Sequence, residues 1–155
     1  MNTEIKTTIT QAEGRFLTDG EAETLRRFAV GMDGRLDAAR RLEAAEDDIV
    51  EGALYRFFER HPDDSHAEAD TRARFVRDLR LTLRYVAAAQ VRDDGEWFRR
   101  QFAEWNAQTL KNIADATLLV AMFRTLAEEV EERLDPTDAR AFHPYLDQFV
   151  QALAS

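Results

Sequence analysis

The chain has 155 residues, of which 45% are hydrophobic and 33% are charged, and these values predict a single domain with a real hydrophobic core. Thirty acidic residues against 21 basic ones give a net charge of −9, which argues against a nucleic-acid partner. No apolar run reaches membrane-spanning length and the N-terminus lacks a signal-peptide pattern, so we expect a soluble cytoplasmic protein. The chain has no cysteine, which excludes disulfides, thiolate metal sites, a cysteine nucleophile and thioether-linked cofactors.

Helical periodicity begins early in the chain. A short helix is predicted from about Thr3 to Ala12, and Thr18 with Glu21 forms the pattern of a capping box, a hydroxyl followed three residues later by a carboxylate. Three apolar stripes at helical spacing follow, and the last of them ends before Pro62. Their members are Leu25, Phe28, Ala29 and Met32, then Leu36, Ala39, Leu42 and Ala45, then Ile49, Ala53, Leu54, Phe57 and Phe58.

Four more helices are predicted in the second half. Residues 63–70 are polar and are predicted to form a loop before the first of them, which fades near residues 92–95. The last helix begins with Asp135 as its cap and Pro136 in its first turn. Their apolar stripes are Val76, Leu79, Leu83 and Val86, then Trp97, Phe98, Phe102 and Trp105, then Leu118, Met122, Phe123, Leu126 and Val130, then Phe142, Leu146, Phe149 and Leu153.

About eight helices without strand alternation predict an all-α fold, closer to a globin-type packing than to a four-helix bundle. A haem globin needs an axial histidine on its later helices. The histidines are His61, His66 and His143, so the usual proximal position is empty and no haem is expected. His61 and His143 each precede a proline and are predicted to lie at helix ends.

The sequence gives no support to a catalytic or metal site. An acidic cluster near residue 130 lacks a Glu-x-x-His pair, and its spacing favours a solvated helix face over metal binding. Its members are Glu128, Glu129, Glu131 and Glu132. The sequence contains no phosphate loop, nucleophile elbow or zinc pattern. We therefore expect no catalytic residues, no bound metal and no enzymatic activity.

Two short motifs point to a family. Residues 14–18 read GRFLT, and residues 75–79 and 83–86 read FVRDL and LRYV. The first resembles the GRFL-S/T segment of phycobiliproteins, the bilin-binding, globin-like subunits of phycobilisomes. The second pair resembles their chromophore-bearing helix, commonly C-x-R-D followed by LRYV. Residues 38–62 resemble the next two helices of the family and residues 145–147 its last helix, so the resemblance keeps its order over nearly the whole chain.

The resemblance implies a single phycobiliprotein-like domain over residues 1–155. An N-terminal helical pair used in subunit association would occupy about residues 1–33, and a globin-like core about residues 34–155. The resemblance also implies a site for a linear tetrapyrrole. The family's anchoring cysteine falls on Phe75, its propionate-pairing arginine on Arg77, and the aspartate that accepts hydrogen bonds from pyrrole nitrogens on Asp78. A basic residue that lies near a propionate falls on Arg74.

These residue types also suit a bilin on chemical grounds. Arg74 and Asp78 are four residues apart and share a helix face, which Arg77 flanks. A bilin carries pyrrole N–H donors and two carboxylates, and one carboxylate beside two guanidinium groups complements both. An aspartate on the pyrrole nitrogens also favours the protonated chromophore. The alternative is that Arg74 and Asp78 form only an exposed surface ion pair.

The chain departs from the family's pattern in three places. Phe75 cannot form a thioether, so a bilin would be held non-covalently, or the larger side chain would fill the space of a bilin ring. The family's aromatic residue at the start of the penultimate helix falls on Leu118. The loop over residues 63–70 is shorter than is typical of the family, which leaves the pocket either more open or absent.

Three functions follow. The chain resembles the bilin biosynthesis-associated globins, a branch without the cysteine, and the first hypothesis is a non-covalent bilin carrier or chaperone that meets bilin-synthesis enzymes. The second is a chromophore-free assembly protein whose pocket Phe75 fills. A sensor domain for an apolar ligand ranks last, because the chain leaves no room for an output domain.

The first helix has few apolar residues to bury in a core of its own chain, so we expect it to pack on a partner subunit. This predicts a homodimer or higher homo-oligomer.

Overall fold

The computed structural model describes residues 2–64 and 69–155, and every regular element in them is helical. The predicted all-α class is confirmed. His66 and part of the predicted loop over residues 63–70 lie outside the described residues. The elements are α1 (Thr3–Gln11), α2 (Asp19–Val30), α3 (Met32–Arg60), a 3-10 turn (Pro62–Asp64), α4 (Ala69–Arg92), α5 (Gly95–Phe98), a π turn (Arg99–Ala103), α6 (Glu104–Lys111), α7 (Ala116–Arg133) and α8 (Pro136–Ala154).

Side-chain caps determine where two of the predicted helices begin. Glu21 donates its backbone N–H to the Thr18 hydroxyl, and the Thr18 N–H donates to the Glu21 carboxylate at 2.8 Å, which is the predicted capping box. At the start of α8, the Asp135 carboxylate accepts the N–H of Thr137 at 2.8 Å, and Pro136 occupies the first turn as predicted. These side chains satisfy backbone donors that a helix N-terminus leaves open.

α3 is one continuous helix of 29 residues, where the resemblance implied two helices. The two stripes join because Leu42 and Ile49 are seven residues apart, which places them on the same face two turns along. Both side chains are buried. The helix ends at Arg60, and His61 follows as its C-terminal cap, as predicted from the proline that comes next.

The prediction that His143 lies at a helix end is wrong. His143 and Pro144 lie inside α8, which continues to Ala154. Proline removes one backbone donor and leaves the carbonyl four residues earlier without its helical partner. Both His143 and Pro144 are exposed. Since this side of α8 faces solvent, water can satisfy the freed carbonyl and the helix is not interrupted.

The core lies where α3 packs against α4 and α7, and where α7 packs against α8. α5 and the π turn extend the core against α4 and α8. Five phenylalanines of this core are fully buried, and each contributes about 1.5–3 kcal/mol relative to an exposed side chain. They are Phe57, Phe98, Phe102, Phe142 and Phe149. Within the described residues, no helix combines the length and the apolar character that a membrane crossing requires.

The N-terminal helix is fastened to the corner between α4 and α5. The Asn2 side-chain amide donates to the carbonyl of Asp93 at 2.7 Å. The Asp94 carboxylate accepts the backbone N–H of Thr3 at 2.8 Å and its hydroxyl at 2.7 Å. α1 also buries Ile5 within its own chain, although its sequence predicts that this helix has little apolar surface to bury there. α2, by contrast, buries none of its residues.

The acidic cluster of α7 forms ion pairs with α3, and one of its four members is buried, so the prediction of a solvated face holds only in part. Glu129 is only 4% exposed and accepts hydrogen bonds from Arg56, at 2.8 and 3.0 Å, and from Arg133 at 2.6 Å. Arg56 also pairs with Glu128 and Glu132. The prediction missed Arg56 because it comes from α3, more than 70 residues earlier in the chain. Of the four glutamates, Glu131 and Glu132 are exposed as expected.

Candidate functional site

A cavity of about 130 Å³ lies between α4, the link from α6 to α7, and α7. Three of the four predicted site residues, Arg74, Phe75 and Asp78, are on its wall. The fourth, Arg77, reaches the site through Asp78. The remaining lining residues are Thr71 and Leu79 from α4, Leu110, Ile113 and Ala114 from the end of α6 and the link, and Leu119, Met122 and Phe123 from α7.

Asp78 is the buried polar group of this cavity, with 8% of its surface exposed. Its Oδ1 accepts a hydrogen bond from Nε of Arg77 at 2.9 Å, and Nη2 of Arg77 lies at the same distance from Oδ1 as part of the ion pair. Asp78 therefore pairs with its neighbour and not with Arg74, so the surface pair considered as an alternative does not form. A carboxylate has about four acceptor positions on two oxygens. Among the described residues no other side chain donates to it, which leaves acceptor capacity for a ligand N–H.

The mouth of the cavity carries a positive charge. Arg74 and Ile113 line the cavity and are exposed, so the opening lies on their side. None of the described residues forms an ion pair with Arg74. Arg77 is also largely exposed, and its guanidinium pairs with Asp78 from the solvent side. Two guanidinium groups thus stand near the entrance, where they can meet a carboxylate that stays in water.

Phe75, which the resemblance places at the family's cysteine, is half-buried. Its ring packs edge-on against the buried ring of Phe57, with 6.3 Å between centroids. Phe57 in turn stacks on His61 at 4.7 Å. The Phe75 ring is therefore supported by the core on one side and borders the cavity on the other, where it occupies volume that a small side chain would leave open.

The opposite wall differs from the sequence expectation. Leu118, on which the resemblance places the family's aromatic residue, is half-buried and does not line the cavity, whereas its neighbour Leu119 does. Leu79 could have been found from its helical spacing to Phe75, and Met122 from the apolar stripe of α7. The link residues around Ile113 had no such signal, because they belong to none of the predicted apolar stripes.

The geometry suits binding of an N–H-bearing, apolar and acidic molecule. The cavity provides a buried acceptor, aromatic and aliphatic walls, and cationic side chains outside. These features fit the chemistry of a bilin, although about 130 Å³ is below the roughly 300–1,000 Å³ of pockets that enclose whole ligands. Within the described residues no three metal-ligating side chains come together. The lining also lacks a nucleophile with an adjacent base.

Comparison with known proteins identifies the family. The chain matches the family model described as "Phycobilisome protein" over residues 7–153. No curated protein sequence matches it. The matched span contains every cavity residue and all helices from α2 to α7, and it confirms the resemblance and the globin-like, phycobiliprotein-like fold. Because the match extends over nearly the whole chain, the protein belongs to the phycobilisome protein family.

Proposed function

We propose that this protein binds a linear tetrapyrrole non-covalently and acts in the cytoplasm as a carrier or chaperone associated with bilin biosynthesis. The observation that carries the proposal is the buried Asp78 carboxylate on the wall of an apolar cavity, beside Arg74 and Arg77. Membership in the phycobilisome protein family supports a bilin-related role. Since the chain has no cysteine, it can hold a bilin only through reversible contacts.

Each site residue has a role in this proposal. Asp78 accepts hydrogen bonds from pyrrole nitrogens and stabilises the protonated, cationic form of the bilin. Arg74 and Arg77 bind the propionates by charge-assisted hydrogen bonds. Phe75 presents an aromatic face to the chromophore. The role is binding and not catalysis, and the enzymes that make or consume bilins are the proposed partners.

A titration with biliverdin, and then with a reduced bilin, tests the proposal. We expect a red-shifted absorption band and induced circular dichroism. Asp78→Ala should weaken binding at least about tenfold, because a hydrogen bond to a charged group is worth about 1.5–3 kcal/mol. Asp70→Ala is the matched control, since Asp70 is an exposed carboxylate in the same helix. A wild-type protein whose spectrum changes with no bilin contradicts the proposal.

The second candidate is a chromophore-free assembly protein whose pocket is filled by Phe75. The small cavity and the packing of Phe75 against Phe57 favour it. Under this function Phe75→Ala would create room for a bilin that the wild type does not bind. Under the first function the wild type binds already, so the two proteins compared in one titration separate the candidates.

Both functions are proposed for a homodimer or a higher homo-oligomer. α2 buries no residue, and the loop before it presents Phe16 with 97% of its surface exposed. A twofold contact through this region is the simplest closed assembly. Phe16→Glu should lower the molar mass measured by light scattering after gel filtration. Tyr55→Glu, at another exposed aromatic residue, should not. A wild type that is monomeric at micromolar concentration contradicts this part.

A further inference from the structure

We propose that the cavity is a one-ring site: it accepts a single N–H heteroaromatic ring of the pyrrole class, which donates to Asp78 and lies among Leu79, Met122 and Phe123. A bilin then enters with one ring and keeps its other rings outside the cavity. The statement about bilins rests on the proposed function, whereas the statement about a single ring rests on the cavity alone.

The volume of the cavity matches one ring. An engineered apolar cavity of roughly 150 Å³ lined by leucine, isoleucine and phenylalanine stays dry and binds benzene. The present cavity has about 130 Å³ and a similar lining of leucine, methionine and phenylalanine side chains. Four linked rings need a pocket several times larger. The cavity therefore sets a limit of one ring unless the surrounding helices separate.

Asp78 gives the cavity a chemical preference. The carboxylate is on the wall, it is nearly buried, and both the hydrogen bond from Nε of Arg77 and the ion-pair contact with its Nη2 go to Oδ1. A ring with an N–H group can donate to the remaining acceptor positions. A ring of the same size with an oxygen at that position would face the negative charge with a lone pair. Pyrrole is thus preferred over furan, its near-isostere.

The exposed rim determines where the rest of a bilin lies. Arg74 and Ile113 are the exposed residues of the lining, so the cavity opens to solvent on their side. Rings outside the cavity contact these residues, and their propionates meet Arg74 or Arg77 while still in water. Asp78 then pairs with the nitrogen of the inserted ring, not with those of the central rings.

Titrations of the ¹⁵N-labelled protein with pyrrole and furan test the one-ring site. We expect pyrrole to produce saturable shifts of amide signals from the cavity residues, with a dissociation constant at least about tenfold lower than that of furan. Ala114→Leu, which adds volume to the lining, should abolish the shifts. Ala116→Leu, two residues away and exposed, should leave them unchanged. Absence of saturable shifts with pyrrole, or equal affinity for furan, overturns the inference.

Biliverdin added to the same samples separates this inference from the proposed function. If pyrrole binds and competes with biliverdin, both are supported. If pyrrole binds and no bilin does, the one-ring site stands and the carrier function is contradicted. If biliverdin binds but neither pyrrole nor Ala114→Leu affects its affinity, the one-ring site is overturned and the carrier function stands. If neither molecule binds, both are contradicted.

Discussion

Gly52→Ala is expected to destabilise the protein although it replaces glycine by alanine within a helix. Gly52 lies in α3 where that helix meets the buried Glu129 of α7. A methyl group at Gly52 would lie 2.5 Å from Cδ of Glu129 and 3.0 Å from Nη2 of Arg133. The Glu129 oxygen nearest the added methyl group is Oε2, so this oxygen has to move and gives up the hydrogen bond that it accepts from Arg133.

Two opposing effects set the magnitude. Alanine gains about 0.5–1 kcal/mol over glycine in a helix interior. Loss of one hydrogen bond to a charged group costs about 1.5–3 kcal/mol. Arg56 retains Glu128 and Glu132, so the remainder of the network persists. The net loss is about 1.5 kcal/mol, which for a chain of this size lowers Tm by about 3–6 °C.

Equilibrium urea unfolding followed by circular dichroism measures this change. Gly34→Ala is the control: it lies in the same helix, nothing stands near its added methyl group, and it should stabilise by about 0.5–1 kcal/mol. In a Glu129→Ala background the obstacle is gone, so Gly52→Ala should change sign and become stabilising. The reasoning is refuted if Gly52→Ala stabilises the wild type as much as Gly34→Ala does.

Three further outcomes are expected. The Arg41 guanidinium holds the pKa of Asp138 below its usual 3.8. The stability from this pair is therefore complete above pH 3.8 and is lost as the pH falls through the lower folded-state pKa. Asp138→Asn should make acid unfolding shallower, and an unchanged acid transition would contradict this. Asp94→Ala removes the N-terminal cap of α5 and the contact with Thr3, so it should lower the free energy of unfolding by about 1 kcal/mol and speed amide exchange in α1. Unchanged amide exchange in α1 would count against the contact with Thr3. Trp105 is 63% exposed and should account for most of the fluorescence that acrylamide quenches. The remaining emission of Trp105→Phe should therefore be poorly quenched, and easily quenched emission from this variant would be inconsistent with the structure.

Local side-chain chemistry made some helix boundaries predictable. Thr18 and Asp135 cap their helices with atoms within a few residues, so the pattern contains all the information required. His143 shows where such local rules end. A proline usually marks a boundary, but whether it does so depends on whether the carbonyl it frees faces water. That depends on how α8 packs, which the sequence around His143 does not encode.

One wall of the site was predictable and the other was not. The residues of α4 follow from a short motif on a regular helix, whereas the wall from α6 lies beyond the π turn. A π turn adds a residue to the helix and rotates the face that follows it. Phe98 and Phe102 are buried, and regular spacing would bury Trp105 as well, yet Asn106 is buried in its place and Trp105 is exposed. The periodicity of residues 97–117 therefore misplaces the residues that close the cavity.

The ion pair between Arg77 and Asp78 explains how the cavity tolerates the absence of a ligand. A buried carboxylate without a partner is strongly unfavourable. Arg77 provides the compensating charge, and because it is largely exposed it can leave Asp78 at little cost in burial. Under the proposed function, an arriving bilin exchanges this pair for two others, with its ring nitrogen on Asp78 and a propionate on an arginine. Departure of the bilin restores the original pair. A thioether at position 75 would prevent departure of the bilin. With Phe75 at this position, only packing and hydrogen bonds would retain the bilin, so the dissociation rate would set the lifetime of the complex, as a carrier that hands on its ligand requires.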